Sequence, residues 1–282
     1  MAPASPADFR FPPSWRWIPP LCLRGDWQMA IDDWLLDQSL LKGGSAVLRL
    51  YTWSEPTLSL GHHQHSLDPA WQTAERQGRL ALVRRPSGGG AVLHAGSLTY
   101  ALVWPDPPRQ RQQAYALISA WLVEAFATLG LTLCVGQDGA TAPAANCFAT
   151  STVADLVGAD GRKRVGSAQL WRRRQLLQHG SVLLDPPAGL WQELFGSDPP
   201  VTSASQRPAT DALNDQLRHA AIAGLGGGSL ECEPLRPGEW AAINRRRHRF
   251  RLSCGSAAVQ QDQPSPFSAI PRATWASARP RG

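Results

Sequence analysis

The chain has 282 residues, 43% of them apolar and 18% charged, which suits one sizeable globular domain, excludes disorder as its main state, and lets it bury on the order of three quarters of its extended surface without a staple. The formal charge is +6; no run of about 18 apolar residues marks a membrane span, and the start MAPASPADFR lacks the basic and apolar segments of a secretory signal. Five cysteines without a CxxC pair (Cys22, Cys134, Cys147, Cys232, Cys254) argue against a disulfide framework and a zinc knuckle, so free thiols in a reducing cytoplasm are expected.

Residues 1–20 carry PADFRFPPSWRWIPP and are expected to form an irregular arm or strap, since prolines interrupt regular structure. From Asp26, a candidate cap, Trp27, Ile31, Trp34 and Leu35 recur at helical spacing until Gly43-Gly44. AVLRLYTW (46–53) and TLSLG (57–61) read as strands around a Ser54-Glu55-Pro56 turn, and Asp68-Pro69 opens a second helix. Residues 80–104 hold three strand-like pieces, LALVRR, AVLH and SLTYALVW, broken by glycines. The helix over 109–130 buries Ala114, Ile118, Trp121, Leu122, Ala125 and Phe126 on one face and stops at Gly130. LTLCVG is a strand, Asp160-Gly161 marks a hairpin turn that puts Lys163 opposite about Gly158, and QLLQHGSVLL (175–184) is a further strand. Two helices are expected at about 210–224 and 238–248, then a disordered tail over 255–282. These elements predict an α+β domain over 21–250, with mixed β-sheets packed against helices.

Three clusters carry candidate chemistry. Arg84 to His94, RRPSGGGAVLH, sets three glycines between strand-like runs, where bare backbone approaches a ligand or adopts positive φ; by itself it reads equally as an ordinary turn. Asn146 to Phe148, NCF, is followed by Lys163, one of only two lysines beside Lys42 against 26 arginines. A nearby cation favours the thiolate, the nucleophilic form of cysteine, and an ammonium is a compact, tunable charge that arginine does not replace. A lone cysteine is more often a small buried hydrophobe; Cys147 differs from the other four in ending a loop. The third cluster is GSAQ (166–169) with QHGS (178–181), small residues in strands where a ligand or another backbone packs closely.

Taken in order, R-R-x-S-G-G-G-A-V-x-H, N-C-F, K-x-x-G-S-A-Q and Q-H-G-S resemble the biotin/lipoate protein ligase superfamily on its lipoate side, as do Arg49, Tyr51, Trp53, Pro56, Ser59, Gly61 and Gln64 upstream. The likeness is clear over about 26–185 and loose to about 250. It implies the catalytic-domain fold of that family. Cys147 ahead of Lys163 is similar to the cysteine-dependent octanoyltransferase branch, which implies Cys147 as acyl-thioester nucleophile and Lys163 as the cation that favours its thiolate and steadies the thioester carbonyl. The resemblance further implies a substrate-binding set of Arg84, Arg85, Ser87, Gly88, Gly89, Gly90, His94, Gly166, Ser167, Ala168, Gln169, His179 and Gly180, with no metal and no cofactor. The glycine triplet and the 166–168 strand would line a tunnel for the acyl chain, whose burial at about 0.8 kcal/mol per methylene would be worth roughly 5 kcal/mol. The implied donor is octanoyl acyl carrier protein, and the implied acceptor a lipoyl domain or the glycine cleavage H protein, both acidic and suited to an arginine-rich surface. Arg164, where the family often has an apolar residue, predicts a less buried strand, and the loop 137–146 sets the distance from Cys147 to Lys163. An ATP- and Mg-dependent lipoate ligase with an incidental Cys147 is the alternative. Nucleic-acid binding, with Arg172-Arg173-Arg174 and RRRHRFR (245–251) contacting phosphates, is a distant third reading, such runs more often being solvated faces.

Overall fold

The computed structural model describes residues 11–41, 43–137, 146–200, 210–226 and 228–254, with backbone alone for 210–212. In chain order the elements are β1 (Ser14–Leu23), α1 (Gly25–Ser39), β2 (Ala46–Trp53), β3 (Thr57–Leu60), α2 (Pro69–Arg76), β4 (Ala81–Arg84), β5 (Val92–His94), β6 (Ser97–Trp104), α3 (Arg111–Thr128), β7 (Leu133–Val135), β8 (Leu156–Gly158), β9 (Lys163–Arg172), β10 (Gln175–Leu183), α4 (Ala188–Phe195), α5 (Thr210–Gly224), β11 (Ser229–Cys232), α6 (Pro237–Asn244) and β12 (Arg251–Leu252). Single 3-10 turns lie at Cys147–Ala149 and Arg247–Arg249.

Eight strands form one mixed sheet in the order β11-β1-β2-β6-β10-β9-β8-β7, and four form a second, β12-β4-β3-β5. The long apolar runs of β2 and β6 follow from burial on both faces of the large sheet. Alternate residues serve opposite layers. Ala46, Leu48, Leu50, Leu98, Tyr100 and Leu102 pack with α3 and α5, whereas Val47, Tyr51, Ala101 and Val103 pack with α1 and α6. The small sheet has its own core, where Leu58, Leu60, Leu82 and Leu93 meet Trp71 of α2 and Trp191 of α4.

Helix α1 is buried nearly all round, three of its four acids included. Such a helix is tolerable only if each charge is paired. Asp26 takes Arg251 Nε at 2.6 Å, Asp32 takes Arg49 at 2.8 Å, and Asp33 takes Arg172 and Arg246. Asp26 therefore lies in the first turn and does not cap; Arg24 occupies that position without a side-chain cap bond. In α2, by contrast, Asp68 accepts from Ala70 N at 2.8 Å as the sequence implies.

The irregular arm expected over 1–20 is corrected from Ser14 onward. SWRWIPPLCL is strand β1, paired in parallel with β2 and β11. Pro19 and Pro20 fall where the β1–β2 register shifts between Ile18 and Leu21, so their missing N–H groups cost little pairing. The strands around Ser54-Glu55-Pro56 do not pair with each other but enter different sheets. Lys163 stands opposite Val157, one residue from the expected Gly158, because the β8–β9 ladder shifts register at Leu156/Val157. The helix expected over 238–248 ends at Asn244, and α4 was not foreseen. Arg164 is half-buried, bonded to Asp160 at 2.7 Å and the Pro200 carbonyl at 2.8 Å. The tail at 255–282 and loop residues 138–145 lie outside the described residues.

Candidate active site

The glycine triplet joins β4 to β5 and is held from three sides. Arg85 donates through Nη2 to the carbonyls of Gly88 and Gly90, both at 2.7 Å, and through Nη1 to the Ser59 carbonyl at 2.9 Å. His62 N reaches Ser87 O at 2.8 Å. Gly61 lies under the loop so closely that a Cβ there would stand 1.9 Å from the Gly89 oxygen, and Gly89 itself has φ +97°. Only glycine satisfies both positions.

Ala91, just past the triplet, bridges to Asn146, and Cys147 N donates to Ala91 O at 2.9 Å. Asn146 Oδ1 then accepts from Phe148 N at 2.9 Å and starts the 3-10 turn. The backbone thus fixes Cys147 against the glycine loop. From β9, Lys163 Nζ approaches Cys147 Sγ at 3.5 Å and donates to Cys147 O at 2.7 Å and Thr150 O at 3.3 Å. Asp155 Oδ2 lies 2.9 Å from the same ammonium, both side chains being buried.

Behind Cys147 lies a cavity with an empty volume of about 440 Å³, its open mouth included. Met29, Tyr51, Trp53 and Val92 give it apolar and aromatic walls. Gly166, Ser167 and Ala168 of β9 face Ser181, Gly180 and His179 of β10 across the ladder and supply a close-packed side. Cys147 also lines an outer, more polar groove with Gly90, Asn146, Asp155 and Lys163. Its sulfur therefore stands between a narrow, mostly apolar interior and the surface.

Of the residues singled out from sequence, Arg85, Gly88, Gly89, His94, Cys147, Gly166, Ser167, Ala168, His179 and Gly180 line this cavity. Arg84 does not. Its guanidinium holds the carbonyls of Gly61 and Gln64, at 3.1 and 2.7 Å. Gln169 bonds Gln178 and Trp171 and faces another groove with Arg84 and Arg172. Ser87 is buried, with Oγ 2.5 Å from His179 Nε2.

The two histidines differ in their support. His179 Nδ1 lies 3.1 Å from Asp32 Oδ2, which also accepts from Tyr51 OH at 2.9 Å. With Nδ1 donating to the carboxylate, a neutral ring accepts the Ser87 hydroxyl hydrogen at Nε2. His94 Nε2 is 2.8 Å from Ser59 Oγ, and its ring stacks on Trp53 with centroids 3.8 Å apart. Burial, then the positive charge of Arg85, hold His94 well below the usual histidine range, so its ring stays neutral.

Asp155, Asp32 and the cavity residues Met29 and Thr99 had not been singled out. Asp155 sits five residues before Asp160 in VADLVGAD and carries no local signal separating it from a surface acid. Several arginines of the two runs pair with carboxylates. Arg246 and Arg172 both bind Asp33 and Asp37, Arg251 binds Asp26, and Arg174 meets Asp106 at 3.2 Å. All five cysteines are free thiols, and among the described residues no helix is long and apolar enough to cross a membrane.

Known proteins resemble this chain in sequence and in fold. Octanoyltransferase LipM of Carboxydothermus hydrogenoformans is 37% identical over 177 residues, 61% of this chain and 65% of that relative, so the matched stretch spans slightly under two thirds of it. Octanoyltransferase LipM of Lysinibacillus sphaericus is 34% identical over 207 residues, covering 69% of this chain and 72% of the relative. Among solved structures, a lipoate-protein ligase A bound with ATP superposes with a TM-score of 0.68 at 18% identity, over 83% of this chain and 95% of that one. The bipartite lipoate protein ligase of Thermoplasma acidophilum gives 0.63 at 17% identity, over 83% and 93%. At such identities the structures establish the biotin/lipoate ligase catalytic fold, an α+β domain of two mixed sheets packed with helices. Residues 25–208 match the model described as the lipoyl protein ligase A/B catalytic domain, and with the fold in agreement, the chain belongs to that family.

Proposed function

We propose that this protein is an acyltransferase that moves an octanoyl group from acyl carrier protein, through a thioester on Cys147, to the ε-amine of a lysine on a lipoyl domain or the glycine cleavage H protein. The observation that carries the reading is the Cys147 sulfur 3.5 Å from the Lys163 ammonium, with an apolar cavity on one side and an open groove on the other. The names of the relatives support octanoyl as the group carried.

In the first half-reaction the Cys147 thiolate attacks the donor's thioester carbonyl, a sulfur–carbon bond forms and the bond to the donor sulfur breaks. The proton lost by Cys147 leaves on the departing donor thiol. The ammonium of Lys163 favours the thiolate and opposes the negative charge that develops on the carbonyl oxygen. In the second, the neutral amine of the acceptor lysine attacks the Cys147 thioester. A nitrogen–carbon bond replaces the sulfur–carbon bond, and the proton that the amine gives up returns to the departing Cys147 sulfur, restoring its starting state. Both half-reactions draw on an acyl group already activated as a thioester, so the transfer calls for neither ATP nor a metal. The walls formed by Met29, Tyr51, Trp53 and Val92 take up the hydrocarbon chain and set its length preference.

Incubation with octanoyl acyl carrier protein tests this. The expected product is a hydroxylamine-labile adduct of one octanoyl group on Cys147, absent in Cys147→Ser and chased by a lipoyl domain. Failure to acylate Cys147, with ATP-pyrophosphate exchange in the presence of free octanoate or lipoate, would instead mark a ligase.

A further inference from the structure

We propose that Asp155 and Arg85 together set the charge at the Cys147 sulfur: Asp155 positions and neutralises the Lys163 ammonium, and the buried Arg85 guanidinium supplies the positive charge that a thiolate there requires. The inference rests on Cys147 being the acyl carrier and specifies how its thiolate is balanced.

The hydrogen-bond geometry of Lys163 motivates the first half. An ammonium has three N–H donors, and three oxygens claim them: Cys147 O at 2.7 Å, Thr150 O at 3.3 Å and Asp155 Oδ2 at 2.9 Å. The sulfur, at 3.5 Å, is a fourth partner for three donors. Asp155 is fixed in turn. Thr152 N and Oγ1 donate to its Oδ2 at 2.8 and 3.0 Å, and Ser167 N donates to its Oδ1 at 3.2 Å. Because Lys163 and Asp155 are 5% and 3% exposed, little solvent screens the carboxylate's opposition to the ammonium's field at the sulfur.

The second half follows from Arg85. Arg85 is 5% exposed, and the acceptors of its guanidinium are all neutral: the carbonyls of Gly88, Gly90 and Ser59, with Ser59 Oγ at 3.3 Å. Among the described residues no carboxylate lies within ion-pair distance of it. A buried cation without a counter-ion is costly, and a thiolate in the same cavity relieves that cost. The two groups are tied to consecutive carbonyls, Arg85 to Gly90 and Cys147 to Ala91. Burial lowers the proton affinity of Arg85, and negative charge on Cys147 raises it.

The other charged or titratable groups near the sulfur do not fill this role. His94, from β5, is held neutral. His179, from β10, is engaged by Asp32, which Arg49 already balances. His63 lines the outer groove rather than the cavity. Counting Cys147 as thiolate, Lys163 and Asp155 cancel, and Arg85 brings the cluster to neutrality.

The test measures the rate of Cys147 alkylation by iodoacetamide against pH, read on the Cys147 peptide by mass spectrometry in the full-length protein. Thermal unfolding serves as the check on folding. Asp155→Asn is expected to lower the ionisation midpoint of Cys147 by about one pH unit, a tenfold change in thiolate population at a given pH below it. Arg85→Gln is expected to raise it by a similar amount, and Arg85→Lys, which keeps the charge, to return most of the shift. Arg85→Met supplies the same measurement if Arg85→Gln does not fold. An unchanged midpoint in folded Arg85→Gln or Arg85→Met, or an upward or absent shift in Asp155→Asn, overturns the inference. Octanoylation of the wild-type protein is followed in parallel. A wild type that forms no adduct defeats the transferase reading itself, whereas normal adduct formation with immobile midpoints defeats only this assignment.

Discussion

Cys147 Sγ and Lys163 Nζ lie 3.5 Å apart across sixteen residues of chain, yet no strand ladder joins them. Lys163 pairs with Val157 in the β8–β9 hairpin, while Cys147 is fixed by Ala91 O and by the turn that Asn146 starts. The contact thus depends on a cap as much as on a sheet. Asn146→Ala is expected to cost about 1 kcal/mol of stability, the usual loss for a missing cap. Acyl-enzyme formation should fall further, by up to about 100-fold, because a shift near 1 Å at the reacting atom is that costly. Denaturant unfolding and the pre-steady-state rate of adduct formation measure the two separately; equal small losses in both would show that Asn146 does not position Cys147.

The pair Asp32 and Arg49 is fully buried, at 2.8 Å. Arg49→Met leaves a carboxylate beneath the sheet with Tyr51 and His179 as its remaining partners. Breaking one side of such a pair costs about 3–5 kcal/mol. The urea midpoint should drop accordingly, and the double variant Asp32→Leu with Arg49→Met should be less destabilised than the sum of the two single changes.

Acidification should weaken the fold in two windows. His94 is held neutral in the folded state, well below its ordinary value of 6.5. The unfolded chain therefore binds the extra proton, and stability declines as pH falls below about 6.5, by at most about 1.4 kcal/mol per pH unit from this group. Asp37 acts at lower pH. Burial pushes its carboxyl up from an ordinary 3.8, but hydrogen bonds from Arg246 and Arg172 outweigh that and hold it down. Its stabilisation is present above about pH 4 and lost as pH falls through the lowered value. Urea unfolding from pH 7 to 5 should show the first slope, and His94→Gln should flatten it.

Gly180 faces Tyr100 so closely that a Cβ would stand 2.4 Å from the ring. Gly180→Ala must displace that ring or the strand, at an overpacking cost of about 1–3 kcal/mol. Since Gly180 also lines the acyl cavity, the preferred chain should become shorter. Competition among carrier-protein thioesters of different length reads this directly, and an unaltered preference would remove Gly180 from the cavity wall.

Much of the frame was legible because burial imprints a local period. The inward face of α3, Ala114 through Phe126, was readable from spacing. So was the Asp68 cap, and so were the strands around the glycine triplet. Strand β1 was hidden because its prolines carry the same signal in a strap as at a register shift. The separation of β2 from β3 into two sheets was equally invisible, since a turn of three residues looks alike whether it closes a hairpin or crosses between layers.

At the site, the sequence by itself determined the reactive types and their order: a glycine loop, a thiol at a loop end, a scarce lysine, then small residues on paired strands. Tertiary structure alone decided that Asp155 meets Lys163, that Arg85 lacks a carboxylate partner among the described residues, and that Ser87, His179 and Asp32 form one buried chain. The reason is physical. Periodicity reports which side of its own element a residue buries, whereas the balance of charge around a sulfur depends on which groups several elements bring within a few ångströms, and that is fixed only when the layers pack.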